Sequence, residues 1–298
     1  MFVSLSLLRP LLLPPFPLSR FSSYHLIMES CFCPSFFFMP KHPFHLVSAS
    51  PWPLILASYT IILVFSTVYS IKVKPHPLLV FLPWLLLVAA SLFWWYDVIM
   101  ESTFLGSHTT RVQSGLRLGI LLFIASEIFF FFGFFWAYLH CALSPSVELG
   151  STWPPPGIIS LNAFSLPLLN TVVLLCSGLT ITWSHASLKA GWVSSCFSSL
   201  ATTVLLGLFF TLLQGFEYYN CSFTIADSVY GSAFYLATGF HGIHVILGSL
   251  FLSLSLPRVL LSHYSPTRHL GFEFACWYWH FVDVVWILLF FTLYVWGA

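Results

Sequence analysis

The chain has 298 residues, of which 58% are hydrophobic and only 6% charged, with a formal net charge of +1. A water-soluble domain carries roughly 25% charged residues, so most of this surface faces something other than water, and lipid is the simplest candidate. The near-zero charge and the lack of any Lys/Arg stripe exclude a basic nucleic-acid footprint.

Residues 1–38 stand apart, rich in Leu, Ser, Phe and Pro, with Pro10, Pro14, Pro15 and Pro17 interrupting the apolar run before it could span a bilayer. Arg9, Arg20 and the single acid Glu29 leave a transit peptide open as one reading. We read the segment instead as upstream sequence outside the functional mature protein, with Met39 as the start, because the prolines spoil the amphipathic helix that a transit peptide needs. The domain of interest is then 39–298.

Apolar stretches follow near 52–71, 77–96, 117–141, 165–187, 192–216, 229–257 and 272–296. Each approaches or exceeds the length that crosses about 30 Å of hydrocarbon at 1.5 Å per residue. The fold class expected is therefore an all-α polytopic membrane protein of seven transmembrane helices. Lys72, Lys74, Pro75 and Pro77 make a tight first turn, and the 142–164 connection carries the Trp153-Pro154-Pro155-Pro156-Gly157 run, which cannot be helical. With the N-terminus inside, the inner segments hold Lys41, Arg111, Arg117, Lys189, Arg258 and Arg268, whereas the outer ones hold Lys72 and Lys74. That asymmetry favours N-inside and C-outside. Trp94, Trp95, Trp153, Trp183, Trp192 and Trp296 fall near segment ends, where interface anchors belong.

Few residues in these spans could carry chemistry. Glu127 lies mid-span in Ile124-Ala125-Ser126-Glu127-Ile128 followed by four phenylalanines. A carboxylate at such a depth costs about 2.5–3.5 kcal/mol on insertion scales, so it is either protonated or hydrogen-bonded to another helix. Two readings stand: a proton-accepting or lipid-contacting group, or a neutral acid tying two helices together. In the last span His280 and Asp283 are three apart and share one helix face; the expectation is a polar pair that locks the helix. His241 and His244 lie on one helix, three apart, and cannot flank one haem iron, so they read as polar links between helices, with Gly239, Gly242 and Gly248 permitting close approach. Glu217, Tyr218 and Tyr219 read as ordinary boundary residues. Cys141, Cys176, Cys196 and Cys276 read as small hydrophobes, and the pair Cys31 and Cys33 is a weak metal signal. No metal is assigned to the chain. No phosphate loop or nucleophile elbow occurs, so soluble-type catalysis has no foothold.

Several strings together resemble one family. They include Trp94-Trp95 with Asp97-Val98-Ile99 and Glu101-Ser102-Thr103, Glu127 in its Phe-rich run, Trp153-Pro154-Pro155, and Pro167-Leu168-Leu169-Asn170-Thr171. Glu217-Tyr218-Tyr219, Phe223-Thr224-Ile225, Asp227 through Ser232, Ala237 through Gly242, and Trp277 through Trp286 complete the set, in family order from about residue 40 to the end. The chain resembles subunit III of the cytochrome c oxidases.

The resemblance implies a two-helix and a five-helix bundle around a lipid-filled cleft, in the mitochondrial inner membrane, N-terminus in the matrix and C-terminus facing the intermembrane space. It implies membership of the complex that passes electrons from cytochrome c to oxygen and pumps protons. Haem A and copper then sit in partner subunits I and II, beside small accessory subunits, and this chain binds structural phospholipid, steadies the catalytic core and supports proton uptake. By position, Trp95, His108, Glu127 and Arg258 are implied to line the cleft, with His108 and Arg258 as cations for phosphate headgroups. Tyr96 and Met100 depart from the family, standing where an arginine is usual in animal members, and Ala186 follows His185 where a second histidine is common. A quinol oxidase subunit is the nearest rival, but it typically lacks the two spans within 52–96. A transporter is disfavoured by the lack of broken helices or an inverted repeat. A purely structural assembly subunit, with no proton role, stays open.

Overall fold

A computed structural model describes residues 43–297, so the readings placed on residues 1–38, on Met39 and on Cys31 and Cys33 lie outside the described residues. Seven helices are long and apolar enough to cross a membrane, and no strand occurs among the described residues. They are α1 (Trp52–Lys72), α2 (Pro77–Thr103), α3 (Thr110–Leu143), α4 (Leu166–Lys189), α5 (Val193–Asn220), α6 (Ser228–Leu260) and α7 (Leu270–Leu289). Proline in the first turn starts α1, α2 and α4, where its missing N–H has no helical partner to lose.

Several helices outrun the apolar windows. α2 continues from 96 to Thr103, and α3 begins at Thr110 rather than 117, capped by the Thr109 hydroxyl accepting from Val112 N at 3.4 Å. A hydropathy window stops at the first polar residues, whereas a helix satisfies its own backbone and runs on into the headgroup region. The 34 residues of α3 reach about 51 Å, so Arg111 and Arg117 ride on its first turns. Trp94 and Trp95 consequently lie within α2 rather than at its end. Trp153 is likewise not a free interface anchor: its indole donates to Tyr138 Oη at 3.2 Å and packs on Tyr230.

Packing divides the helices into two groups. α1 and α2 pair with each other, tied by Trp52 Nε1 donating to Asp97 Oδ2 at 2.6 Å and by Trp52 stacked on Phe93. α3 to α7 pack among themselves around α7, the most buried span. The two groups meet where Phe104, closing α2, packs edge-on against His263 in the α6–α7 loop at 5.5 Å.

In lipid, helix association rests on close van der Waals fit and interhelical hydrogen bonds. The five-helix group shows both around two buried tryptophans. Trp279 donates to Ser177 Oγ at 2.9 Å, and Trp286 to Thr171 Oγ1 at 3.0 Å. Room for the Trp279 ring comes from Gly207 and Gly248, where an added Cβ would lie 2.6 and 2.9 Å from it. Gly239 and Gly242 have nothing within 4 Å of such a Cβ, so close approach on α6 depends on Gly248 and not on them. After Leu289 the chain widens into a π-helical turn, Phe290–Val295, which keeps Phe290, Leu293 and Tyr294 all buried.

Candidate functional site

The mid-membrane acid on α3 meets α6. Glu127 Oε2 lies 2.8 Å from His244 Nε2, and both side chains are largely buried. His244 Nδ1 is 2.6 Å from the Phe240 carbonyl oxygen. A carbonyl only accepts, so Nδ1 carries a proton and a neutral His244 presents a bare Nε2 to Glu127. The short contact therefore needs one further proton, held either by the carboxyl or by the imidazole. Phe131 stands edge-on to the His244 ring at 5.0 Å and Tyr278 stacks on it at 6.4 Å, giving this proton an aromatic surround.

His241 does not join that pair. Its Nε2 donates to the Val282 carbonyl at 3.3 Å, Nδ1 has no partner, and the ring sits between Phe210 and Trp286. His280 and Asp283 share a face, but Nδ1 and Oδ2 are 3.9 Å apart, beyond hydrogen-bonding reach. They stand within ion-pair distance should His280 be protonated, and both side chains reach α4. The carboxyl lies over Gly178 of α4, where a Cβ would lie 2.6 Å from Oδ2.

A second buried acid sits on α5. Glu217 is only 1% exposed, and its Oε1 accepts from Tyr294 Oη at 2.6 Å and from Gln214 Nε2 at 3.2 Å. Gln214 Oε1 in turn accepts from Asn170 Nδ2 at 3.3 Å, joining α4, α5 and the π-helical turn. Glu217 is thus a core residue rather than a boundary one. The signal available in the sequence was Gln214 three residues before it, an amide spaced to share its helix face.

The remaining candidates lie apart from Glu127. Trp95 is exposed on α2. His108, between α2 and α3, packs on His45, which stands 3.7 Å from Glu101. Burial and the neighbouring His45 push His108 below its ordinary pKa, with Glu101 opposing them. Arg258, in the last turn of α6, lays its guanidinium over the Tyr264 ring at 4.4 Å, and its Nε has no partner. Burial and the Arg258 charge push His263 below its ordinary pKa, and burial pushes Tyr264 above its own. Among the described residues no three His, Cys, Asp or Glu side chains are grouped to hold a metal ion.

Comparison with known proteins gives a consistent family. The profile described as cytochrome c oxidase subunit III matches residues 42–298. A cytochrome c oxidase subunit 3 of Branchiostoma lanceolatum is 54% identical over 257 residues, covering 86% of this chain and 98% of that protein. The subunit 3 of Danio rerio is 53% identical over 258 residues with the same coverage, and that of Salmo salar 52% over 257. With its seven spans arranged as two and five, the chain belongs to the cytochrome c oxidase subunit III family.

Proposed function

We propose that the protein is the subunit III of a mitochondrial cytochrome c oxidase, seated in the inner membrane with its N-terminus toward the matrix and its C-terminus toward the intermembrane space. On this reading it carries no redox centre. Haem A and copper reside in subunits I and II, and this chain steadies them, holds phospholipid and supports proton uptake. The observation that carries the reading is the family match across residues 42–298, at over half identity to a relative matched over 98% of its length.

Phospholipid fits between the α1–α2 pair and the five-helix group, which pack mainly within themselves. α1 has no buried residue, so its apolar side chains need lipid or another partner as cover. Arg258 makes no ion pair with a carboxylate among the described residues and suits an anionic headgroup. Burial and His45 push His108 below its ordinary pKa, with Glu101 opposing them, and its imidazole suits a headgroup as a hydrogen-bond partner. Glu127 and His244 supply a site for one exchangeable proton inside the membrane.

The test is gentle affinity purification of the chain from its own membranes, followed by a reduced-minus-oxidised haem spectrum. Haem A in proportion to the chain, with cytochrome c oxidation in the same fraction, is the expected result. A fraction without haem A overturns the reading.

A further inference from the structure

Two histidines that the proposed function does not use meet at the end of the bundle where α4 stops and α7 starts. His185, in the last turns of α4, and His269, the residue before α7, stand with their Nε2 atoms 3.2 Å apart. They lie 84 residues apart in the chain, so no spacing motif announces them. Both are half-buried at a polar end of the helices, which leaves the pair within reach of water.

The two rings are placed as a pair of ligands on one ion would be. Imidazoles aimed at a tetrahedral Zn²⁺ from about 2.05 Å have their nitrogens about 3.3 Å apart and their ring centres about 5.2 Å apart. Here the values are 3.2 and 5.2 Å, with the ring planes at 68°. A straight N–H···N hydrogen bond of the same length would hold the ring centres about 5.5 Å apart. His269 is also oriented as a ligand. Its Nδ1 donates to the Ser265 carbonyl at 3.0 Å, which leaves Nε2 of the neutral ring with a bare lone pair. A carbonyl behind the ring is the usual support of a metal-bound histidine. A neutral His185 donates its Nε2 proton to His269 Nε2; moved to Nδ1, that proton leaves a second lone pair with no change in net charge.

We propose that His185 and His269 form a binding site for a divalent ion of the zinc class, with water completing its coordination, that clips the end of α4 to the start of α7. Imidazole is a ligand such ions favour, whereas Mg²⁺ and Ca²⁺ require oxygen. The surrounding charges tune the site in opposite directions. Lys189 and Glu273 both act on His185, the first opposing a cation and the second favouring it. Glu273, one turn into α7 from His269, is partly neutralised by Arg117 at 3.3 Å.

The test counts zinc per copy of this chain by equilibrium dialysis of the detergent-purified complex, washed first with a chelator. The parent should hold one exchangeable zinc that His185→Ala and His269→Ala each bind about tenfold more weakly or lose. His140→Ala, on an exposed histidine near the far end of α3, should keep it. Lys189→Gln should bind the ion about threefold more tightly, a gain that a damaged fold would not give. Excess magnesium should leave the zinc in place. Equal zinc counts in the parent and in both histidine variants overturn the site, and so does displacement of the zinc by magnesium.

Discussion

At the scale of single residues, the Glu127–His244 contact separates a proton role from a packing role. Glu127→Gln keeps a side chain that can donate to His244 Nε2 but can no longer yield a proton. We expect its stability to stay within about 0.5 kcal/mol of the parent, whereas Glu127→Ala, which leaves a buried nitrogen without a donor, loses about 1 kcal/mol. Thermal denaturation of the purified complex reads both. For Glu127→Gln we expect an unchanged initial rate of cytochrome c oxidation and a shortened lifetime during turnover. Unchanged pumping and lifetime would leave Glu127 a packing residue. Glu217 behaves differently because it is wholly enclosed. Tyr294→Phe removes the donor to Oε1 and should cost about 1–3 kcal/mol, and Tyr294→Phe combined with Glu217→Gln should cost less than the two summed. The sequence revealed Glu127 because an acid in a run of phenylalanines is conspicuous. It did not reveal the partner, since two histidines three apart say nothing of how α6 is rotated. Glu217 was hidden by its place at the end of an apolar run, beside Tyr218, Tyr219 and Asn220, where an acid ordinarily meets water.

At the scale of elements, all seven spans were legible, because twenty apolar residues have few other uses, but their ends were not. Hydropathy marks the edge of hydrocarbon, whereas hydrogen bonding marks the end of a helix, and the seven residues from Thr110 to Leu116 lie between the two. Helix contacts were also only partly legible. A glycine in a span signals close approach without saying to what, and Gly239, Gly242 and Gly248 look alike in the sequence although only Gly248 faces a ring. Gly207→Ala drives a methyl to 2.6 Å from the Trp279 ring and from Ser249 Oγ, and we expect a loss of about 1–3 kcal/mol. Gly242→Ala enters open space and should stay within about 0.5 kcal/mol of the parent. Equal losses for the two would show that α5, α6 and α7 do not meet around Trp279.

At the scale of the whole molecule, the joint between the α1–α2 pair and the five-helix group rests on few contacts, with Phe104 against His263 among them. Both histidines near this joint, His108 and His263, have folded-state pKa values below the ordinary one, chiefly through burial. Protonation is therefore harder in the folded protein than in the unfolded chain. The contribution of these residues to stability is complete above about pH 6.5, the ordinary histidine value, and is lost as pH falls through the lowered ones. A charged His263 would also stand beside the Arg258 guanidinium, adding like-charge repulsion to the loss of its contact with Phe104. The pair should consequently loosen from the five on acidification while each group keeps its internal packing. Spin labels on exposed Leu92 of α2 and Leu122 of α3 provide the measurement. Their distance distribution should be narrow at pH 8 and broaden below pH 6, with helix content unchanged. His263→Phe, which keeps an aromatic ring against Phe104 but cannot take a proton, should remove most of the broadening. Broadening of the same size in His263→Phe would place the pH response elsewhere, His108 with its neighbours His45 and Glu101 being the next joint to label.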